Sequence, residues 1–398
     1  MGEGKMHILV LPSWYPNNPQ DINGVFVRDQ AKALAAHGHK VGVISLNLRS
    51  LRNLVNKNQA ENAASYEVDE GVHTYRDSVW KVFSRTPYSK YLLWRRGANR
   101  VLKRYIVEQG MPDIIHAHSA LYAGKVAAQW RKRYGLPVVL TEHWTGFARR
   151  KLKPWRIGLA RDAAKGANAL IAVSPTLGDV LTAQLGQQAA SWRWIPNMIA
   201  ERFSNAEFDA TEKPDRPMRL LNLAMMAEKK GQSDLLEAFA QAFAAPSQLE
   251  LWFGGDGPIR QQLEEQAHAL NISDRVRFLG KVPPEDVPAL MADVDMMVLP
   301  SHYETFGVVV AEALSMGIPA VATRCGGPEC IILEGDGALV EPRAPDALAQ
   351  VLKEQVEKLP GFDRSAIRAR ALERFSGTAV TRQLEALYQE VLAADGAQ

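Results

Sequence analysis

Two periodicities alternate along the chain. Short apolar runs, read as buried strands, are each followed by stretches with apolar positions three and four apart, read as helices. In the first half the strand signals fall at residues 7–11, 40–45, 113–118, 137–142 and 169–173. The helix signals fall at 27–37, where Gly38 ends the run, at 120–133 and at 175–185, and residues 194–196 close the half. This alternation predicts a parallel sheet covered on both faces. Residues 203–217 carry few buried-type side chains and read as a linker. A second alternation follows, with strands at 220–224, 249–253, 276–279, 296–300 and 319–323. Its helices fall at 233–244, 258–270, 284–291, from Gly307 onward, and at 344–358, 364–374 and about 378–394. The pattern predicts an α/β protein with two facing Rossmann-like, doubly wound domains, 1–197 and 198–376, and a helix and tail over 377–398. Ligands of such sheets bind in a crevice beyond the carboxyl ends of the strands.

The most informative segment is Pro300-Ser-His-Tyr-Glu304-Thr-Phe-Gly307-Val-Val-Val-Ala-Glu312. A buried strand, a short loop and a helix start make a phosphate site, because the first N–H groups of a helix are unpaired and carry partial positive charge. Gly307 allows a ligand close to the backbone. Glu312 falls on the helix, where it can accept from a ribose diol, and Glu304 falls in the loop, facing what lies beyond the phosphates. Together they read as a nucleotide-sugar site. The plainer reading is two solvated glutamates beside a surface helix.

Composition narrows the class. The 398 residues have the apolar and charged fractions of a globular protein. No run approaches the ~20 apolar residues needed to span a bilayer, and residues 1–6 lack an apolar signal region. Cys325 and Cys330 are the only cysteines, too few for a disulfide framework or a zinc set, so a reducing cytoplasm is expected. The net charge of +3 conceals a polarity: residues 1–197 hold 28 Lys and Arg against 13 Asp and Glu, and the remainder 19 against 31. Such asymmetry points to an anionic surface on one side.

Further motifs carry a family resemblance: Lys230-Gly231, Gly255-Asp-Gly257-Pro258, Phe278-Leu279-Gly280, Gly326-Gly-Pro-Glu329, Pro196-Asn197 and the opening Ser13-Trp-Tyr-Pro16 with Gly24-Val-Phe-Val. With Glu304-x7-Glu312, their order resembles the retaining glycosyltransferases of family 4, which have the GT-B fold. The opening segment is similar to a subgroup that builds bacterial envelope polysaccharides of the teichuronic-acid type. The resemblance implies transfer of a sugar from a nucleoside diphosphate to a hydroxyl with retention, and a last helix that crosses back to the N-terminal domain. It implies catalytic roles for Glu304, Lys230 and His118: Lys230 at the diphosphate, Glu304 at donor-sugar hydroxyls, His118 beside the anomeric carbon. Gly24, Gly255, Gly257, Phe278, Leu279, Thr305, Phe306, Gly307 and Glu312 would line the nucleotide sugar, and His143 the acceptor side. Each has a plainer reading. Lys230 could be one of two exposed lysines with Lys229, His118 and His143 structural histidines at strand ends, and Gly255 and Gly257 mere turn residues. The family usually carries an arginine five residues before the lysine; Met225 stands there.

No cofactor and no metal are expected, the donor being a UDP- or GDP-sugar. Asp293-Val-Asp295 lies between a helix and a buried strand and reads as structural. Residues 75–104 and 149–156 interleave bases with Trp, Tyr and Leu, a pattern suited to anionic headgroups and the membrane interface. They predict an N-terminal domain resting on the inner leaflet, a cytoplasmic peripheral protein whose acceptor is a glycan on a polyprenyl diphosphate. Nucleic acid is not an expected partner, because no recognition motif accompanies the bases. The alternatives are a GT-B nucleotide-sugar epimerase and a non-catalytic nucleotide-sugar-binding scaffold at the membrane.

Overall fold

The computed structural model describes residues 4–18, 21, 23–49, 64–80, 86–149, 152–187, 190–209, 216–244 and 249–396. Residues 81–85, 150 and 151 of the two basic stretches, and 210–215 of the linker, lie outside them. The chain divides into two units: residues 1–195 with 380–398, and residues 196–379.

In unit 1 the elements run β1 (His7–Pro12), α1 (Val25–Ala36), β2 (Lys40–Arg49), β3 (Ser65–Asp69), β4 (Val72–Trp80), α2 (Pro87–Gln109), β5 (Ile114–His118), α3 (Lys125–Tyr134), β6 (Val138–Glu142), α4 (Thr145–Ala148), α5 (Pro154–Gly166), β7 (Ala169–Ala172), α6 (Pro175–Leu185) and β8 (Trp192–Trp194). The described strands form one sheet in the order β3-β4-β2-β1-β5-β6-β7-β8. Only β3 runs antiparallel, against β4. β1 therefore has β2 on one side and β5 on the other, and the sheet reverses direction of growth there. The carboxyl ends of β1 and β5 flank this switch point, the place where open α/β sheets bind ligands.

Unit 2 contains α7 (Glu201–Ser204), β9 (Met218–Leu223), α8 (Gln232–Ala242), β10 (Leu249–Gly254), α9 (Arg260–Ala269), β11 (Val276–Gly280), α10 (Val287–Ala292), β12 (Met296–Leu299), α11 (Val308–Ser315), β13 (Ala320–Thr323), β14 (Gly337–Val340), α12 (Pro345–Glu357) and α13 (Arg364–Phe375). Its sheet, β11-β10-β9-β12-β13-β14, is wholly parallel, with the switch between β9 and β12. Its strands read as unbroken apolar runs because both faces are covered: Leu220, Leu251, Phe253, Val298 and Val321 are fully buried, and Leu235, Leu236 and Phe239 of α8 pack with them. The last helix, α14 (Gly377–Gly396), starts in unit 2, and from Val380 on it belongs to unit 1.

Two expectations need correction. The helix expected over 120–133 is regular only from Lys125; residues 120–124 form a wider turn broken at Leu121 and Tyr122. The basic stretch 75–104 is a strand end and a core helix, with Tyr75, Tyr91 and Trp94 each about 1% exposed. Those aromatics fill the core and are withdrawn from any membrane interface; Tyr88 and the bases on the outer face of α2 remain exposed. Residues 152–166 are chiefly a helix, α5, whose Leu159, Ala160, Ala163 and Ala164 are buried. Among the described residues no helix is long and apolar enough to cross a membrane.

Candidate active site

In unit 2 the candidate residues collect at the carboxyl ends of β9 and β12. Lys230 ends a single helical turn after β9, and Gly231 follows it in left-handed conformation (φ 67°). A Cβ on Gly231 would lie 2.0 Å from the Pro300 carbonyl oxygen, so glycine is what lets the Lys230 turn lie against the end of β12. Across this contact Lys230 Nζ sits 2.5 Å from Glu304 Oε1. Ser301, fully buried, donates its hydroxyl to the same carboxylate oxygen at 2.8 Å. The Glu304 N–H donates to the Cys325 carbonyl at 3.3 Å, and Thr323 Oγ1 donates to the Ser301 carbonyl. The carboxylate is thus fixed by two strand ends. Burial pushes the Cys325 thiol up to about 12, so the sulfur beside Glu304 stays protonated and is a poor nucleophile.

Gly307 is the N-cap of α11, at φ 94°, and no side chain caps the helix. Its first amides are therefore available to an anion. Glu312 lies half-buried on α11 and Thr305 half-buried in the loop. Phe306 is 1% exposed and packs edge-on to Phe375, so only its backbone is at the surface of the site. Gly255 and Gly257 are more than turn residues: added Cβ atoms would lie 2.1 Å from the Ala224 oxygen and 2.2 Å from the Met226 oxygen. They let the loop after β10 lie on the loop after β9. Phe278 stacks on Phe253 at 5.3 Å, and Leu279 is 39% exposed at the end of β11. Met225 is 53% exposed. Asp293 and Asp295 pair with Arg219 and Arg216 at the far ends of the strands. Among the described residues no cluster of His, Cys, Asp or Glu is arranged to hold a metal ion.

Unit 1 gathers Gly24, His118 and His143 around its own switch point. Gly24 (φ 76°) starts α1, and a Cβ there would lie 2.5 Å from the Trp14 carbonyl oxygen after β1. His118 ends β5, 3% exposed, with Nδ1 3.0 Å from His143 Nε2. Its Nε2 is buried without a partner among the described residues. The His143 ring packs on Phe26 of α1 at 4.6 Å. His116 points to the other side of the network: Nδ1 is 2.6 Å from the Tyr388 hydroxyl of α14 and Nε2 2.6 Å from Thr141 Oγ1. Sequence reasoning missed Glu142. Fully buried, it accepts from the N–H groups of Ala120 (2.8 Å), His143 (2.9 Å) and Trp144 (2.9 Å), tying the loops after β5 and β6 together. Burial pushes its carboxyl pKa up, and the three donors pull against that shift.

Burial also lowers His116 to about 3 and holds His118 well below the usual histidine range. Both are neutral in the folded protein at physiological pH. Below the unfolded value of ~6.5 the unfolded chain binds protons that the folded chain does not, so stability falls with pH from there toward the folded values. Denaturant melts are expected to lose about 1.4 kcal/mol per pH unit for each histidine below pH ~6.5. His118→Gln should remove one such share of the slope; an unchanged slope would contradict the buried neutral state.

Comparisons with known proteins cover both halves of the chain. The model described as Glycosyltransferase Family 4 matches residues 24–202, and the model described as Glycosyl transferases group 1 matches residues 203–370. The chain is 27% identical over 366 residues to the putative teichuronic acid biosynthesis glycosyltransferase TuaC of Bacillus subtilis, covering 87% of this chain and 88% of that one. Among solved structures, the sucrose-phosphate synthase of Thermosynechococcus elongatus superposes with a TM-score of 0.78 at 21% identity, over 98% of this chain and all of that one. HepE of Anabaena in complex with UDP superposes with a TM-score of 0.72 at 20% identity, over 97% and 100%. These likenesses establish a GT-B fold of two Rossmann-like domains. With its two halves each matched by a glycosyltransferase model, the chain belongs to the group 1 and family 4 glycosyltransferases.

Proposed function

We propose that this glycosyltransferase takes a hexose from a nucleoside-diphosphate sugar and attaches it, with retention, to a hydroxyl of a lipid-linked glycan in envelope polysaccharide synthesis. The observation that carries the donor half is the Lys230–Glu304 pair beside the uncapped start of α11. As the sugar leaves, negative charge grows on the diphosphate. The Lys230 ammonium and the α11 amides are fixed donors for that charge, and Glu312 on the same helix suits the ribose. Lys230 and the amides supply the charge that the leaving group needs, so the reading calls for no metal. Glu304, held by Ser301, accepts from the sugar hydroxyls. His118 serves the proton of the incoming hydroxyl through its neutral imidazole. A UDP- or GDP-sugar is the proposed donor, and HepE, which binds UDP, supports the first.

The envelope acceptor is supported by the likeness to TuaC. Attachment to an anionic inner-leaflet surface rests on the outer face of α2, where Arg96, Arg100, Lys103 and Arg104 are exposed. Two of these are already neutralised in part, Arg100 by Asp77 and Arg104 by Glu108, which leaves Arg96 and Lys103 as the main attraction. A second reading, a scaffold that binds nucleotide sugar without turnover, draws on Met225, an uncharged residue where the resemblance implies an arginine.

One experiment separates them. UDP, GDP, ADP and dTDP are screened by thermal shift, and the labelled sugar of the best nucleotide is then incubated with bacterial lipid extract in neutral or anionic vesicles. Label should enter the lipid fraction, faster with anionic vesicles, and the new glycosidic bond should keep the donor's anomeric configuration by NMR. Tight nucleotide binding with no transfer to any acceptor would leave the scaffold. Equal rates on both vesicle types would remove the membrane surface.

A further inference from the structure

Unit 1 contains a cavity that the donor chemistry does not use. It opens at the carboxyl ends of β1, β5 and β6, beside the switch point, with a volume of about 300 Å³. That is the lower end of the range for small-molecule sites, about 300–1,000 Å³. Its walls include Trp14, Ser119, Tyr122, Trp144, Trp155 and Arg156, brought together from four separate segments. Three features set it apart from an ordinary surface dent. Ser119 is 2% exposed, yet its hydroxyl has no partner among the described residues. An unmet buried hydroxyl costs about 1–3 kcal/mol unless a ligand meets it. The Arg156 guanidinium lies over the rings of Trp144 (5.6 Å) and Trp155 (5.2 Å), and no carboxylate among the described residues pairs with it. The Trp144 ring is folded over Gly146, where a Cβ would lie 2.6 Å from it, so this orientation of the indole is built into the sequence.

We propose that this cavity is the subsite for an acceptor sugar ring bearing an anionic group. The inference rests on the transferase reading above and names the acceptor chemistry. A pyranose offers an apolar C–H face and a rim of hydroxyls. Indole and phenol rings cover the first, as amphipathic aromatics do at binding sites, and the Ser119 hydroxyl meets the second. Arg156 adds a fixed, planar cation suited to a carboxylate or a phosphate. A hydrocarbon chain would leave both the guanidinium and the hydroxyl without a function. The same cation would take a uronate carboxylate or a phosphate ester, and the test distinguishes them.

Binding of methyl α-D-glucuronide, glucose 6-phosphate, methyl α-D-glucoside and inorganic phosphate to the full chain is measured by saturation-transfer NMR and calorimetry. One of the two anionic sugars should bind about tenfold more tightly than the neutral glucoside, and Arg156→Gln should abolish that preference. Trp155→Ala should weaken the anionic and neutral sugars alike. A glucoside that binds as well as both anionic sugars overturns the proposal, as does a preference that survives Arg156→Gln. Inorganic phosphate binding as tightly as the preferred anionic sugar also overturns it, since the sugar ring would then contribute nothing. The thermal shift by UDP or GDP is recorded on the same samples. A normal nucleotide shift without sugar preference removes the subsite alone; no nucleotide shift in the wild type removes the transferase reading, while the sugar measurements still decide the cavity.

Discussion

Lys230→Ala is expected to lower sugar transfer by about 10²–10³-fold, the usual consequence of deleting one fixed donor to a developing anion. In the protein without ligand, Lys230 Nζ is held by Glu304 Oε1 at 2.5 Å. A bound diphosphate would compete for that ammonium, so the two residues should fail in different ways. Lys230→Ala should weaken nucleoside diphosphate binding together with turnover. Glu304→Ala frees the lysine for phosphate, so diphosphate affinity should hold or rise while transfer falls by a similar factor. Neither change should unfold the protein, because the pair, with side chains 19% and 10% exposed, lies in loops at the carboxyl ends of the strands and outside the apolar core. Calorimetry with the nucleotide and single-turnover transfer measure the two effects separately. Wild-type transfer in both variants would end the assignment.

Gly231→Ala should be among the most damaging single methyls in unit 2. The left-handed conformation at φ 67° costs alanine about 1–2 kcal/mol. The new Cβ would also stand 2.0 Å from the Pro300 oxygen, and a backbone carbonyl cannot step aside as a side chain can. Prising the β9 and β12 loops apart costs about 1–3 kcal/mol more, giving a total loss of about 2–5 kcal/mol in denaturant melts. Nucleotide affinity should drop with it, since Lys230 is the preceding residue and Ser301 follows Pro300. Gly361→Ala is the control, having open space at its Cα and no positive φ. A Gly231→Ala protein within about 0.5 kcal/mol of wild type would show that the contact is not rigid.

Strands buried on both faces were legible, because there the apolar run is the whole signal: β1, β5, β9 and β12 fall where the residues place them. The loop from Pro300 to Gly307 was legible for a similar reason, its chemistry lying within one short segment. β4 was not. Arg76 and Asp77 in its middle are each 8% exposed, the first bonded to Glu67 and the Pro16 carbonyl, the second to Arg100. A charge inside a strand reads as exposed until its partners are known. β14 escaped because its short run, Gly337-Ala-Leu-Val340, carries too few large apolar residues. The break at Leu121 and Tyr122 was hidden by good helix formers on either side. Contacts of long range were beyond reach altogether: Tyr388 meets His116 across 272 positions, and the Trp144–Trp155–Arg156 cavity is assembled from loops that share no local pattern.

The passage of α14 from unit 2 into unit 1 has a consequence for how the chain is made. Unit 2 is one continuous span, residues 196–379, and can close as soon as it leaves the ribosome, whereas unit 1 needs residues 380–398 as well. Its nascent sheet must wait for the 193 residues from Pro196 through Tyr388, roughly 10–40 s at ~5–20 residues per second. Until then His116 lacks its tyrosine hydroxyl, and the seam that α14 will cover stays open to chaperones. The half of the enzyme synthesised first is therefore the half finished last.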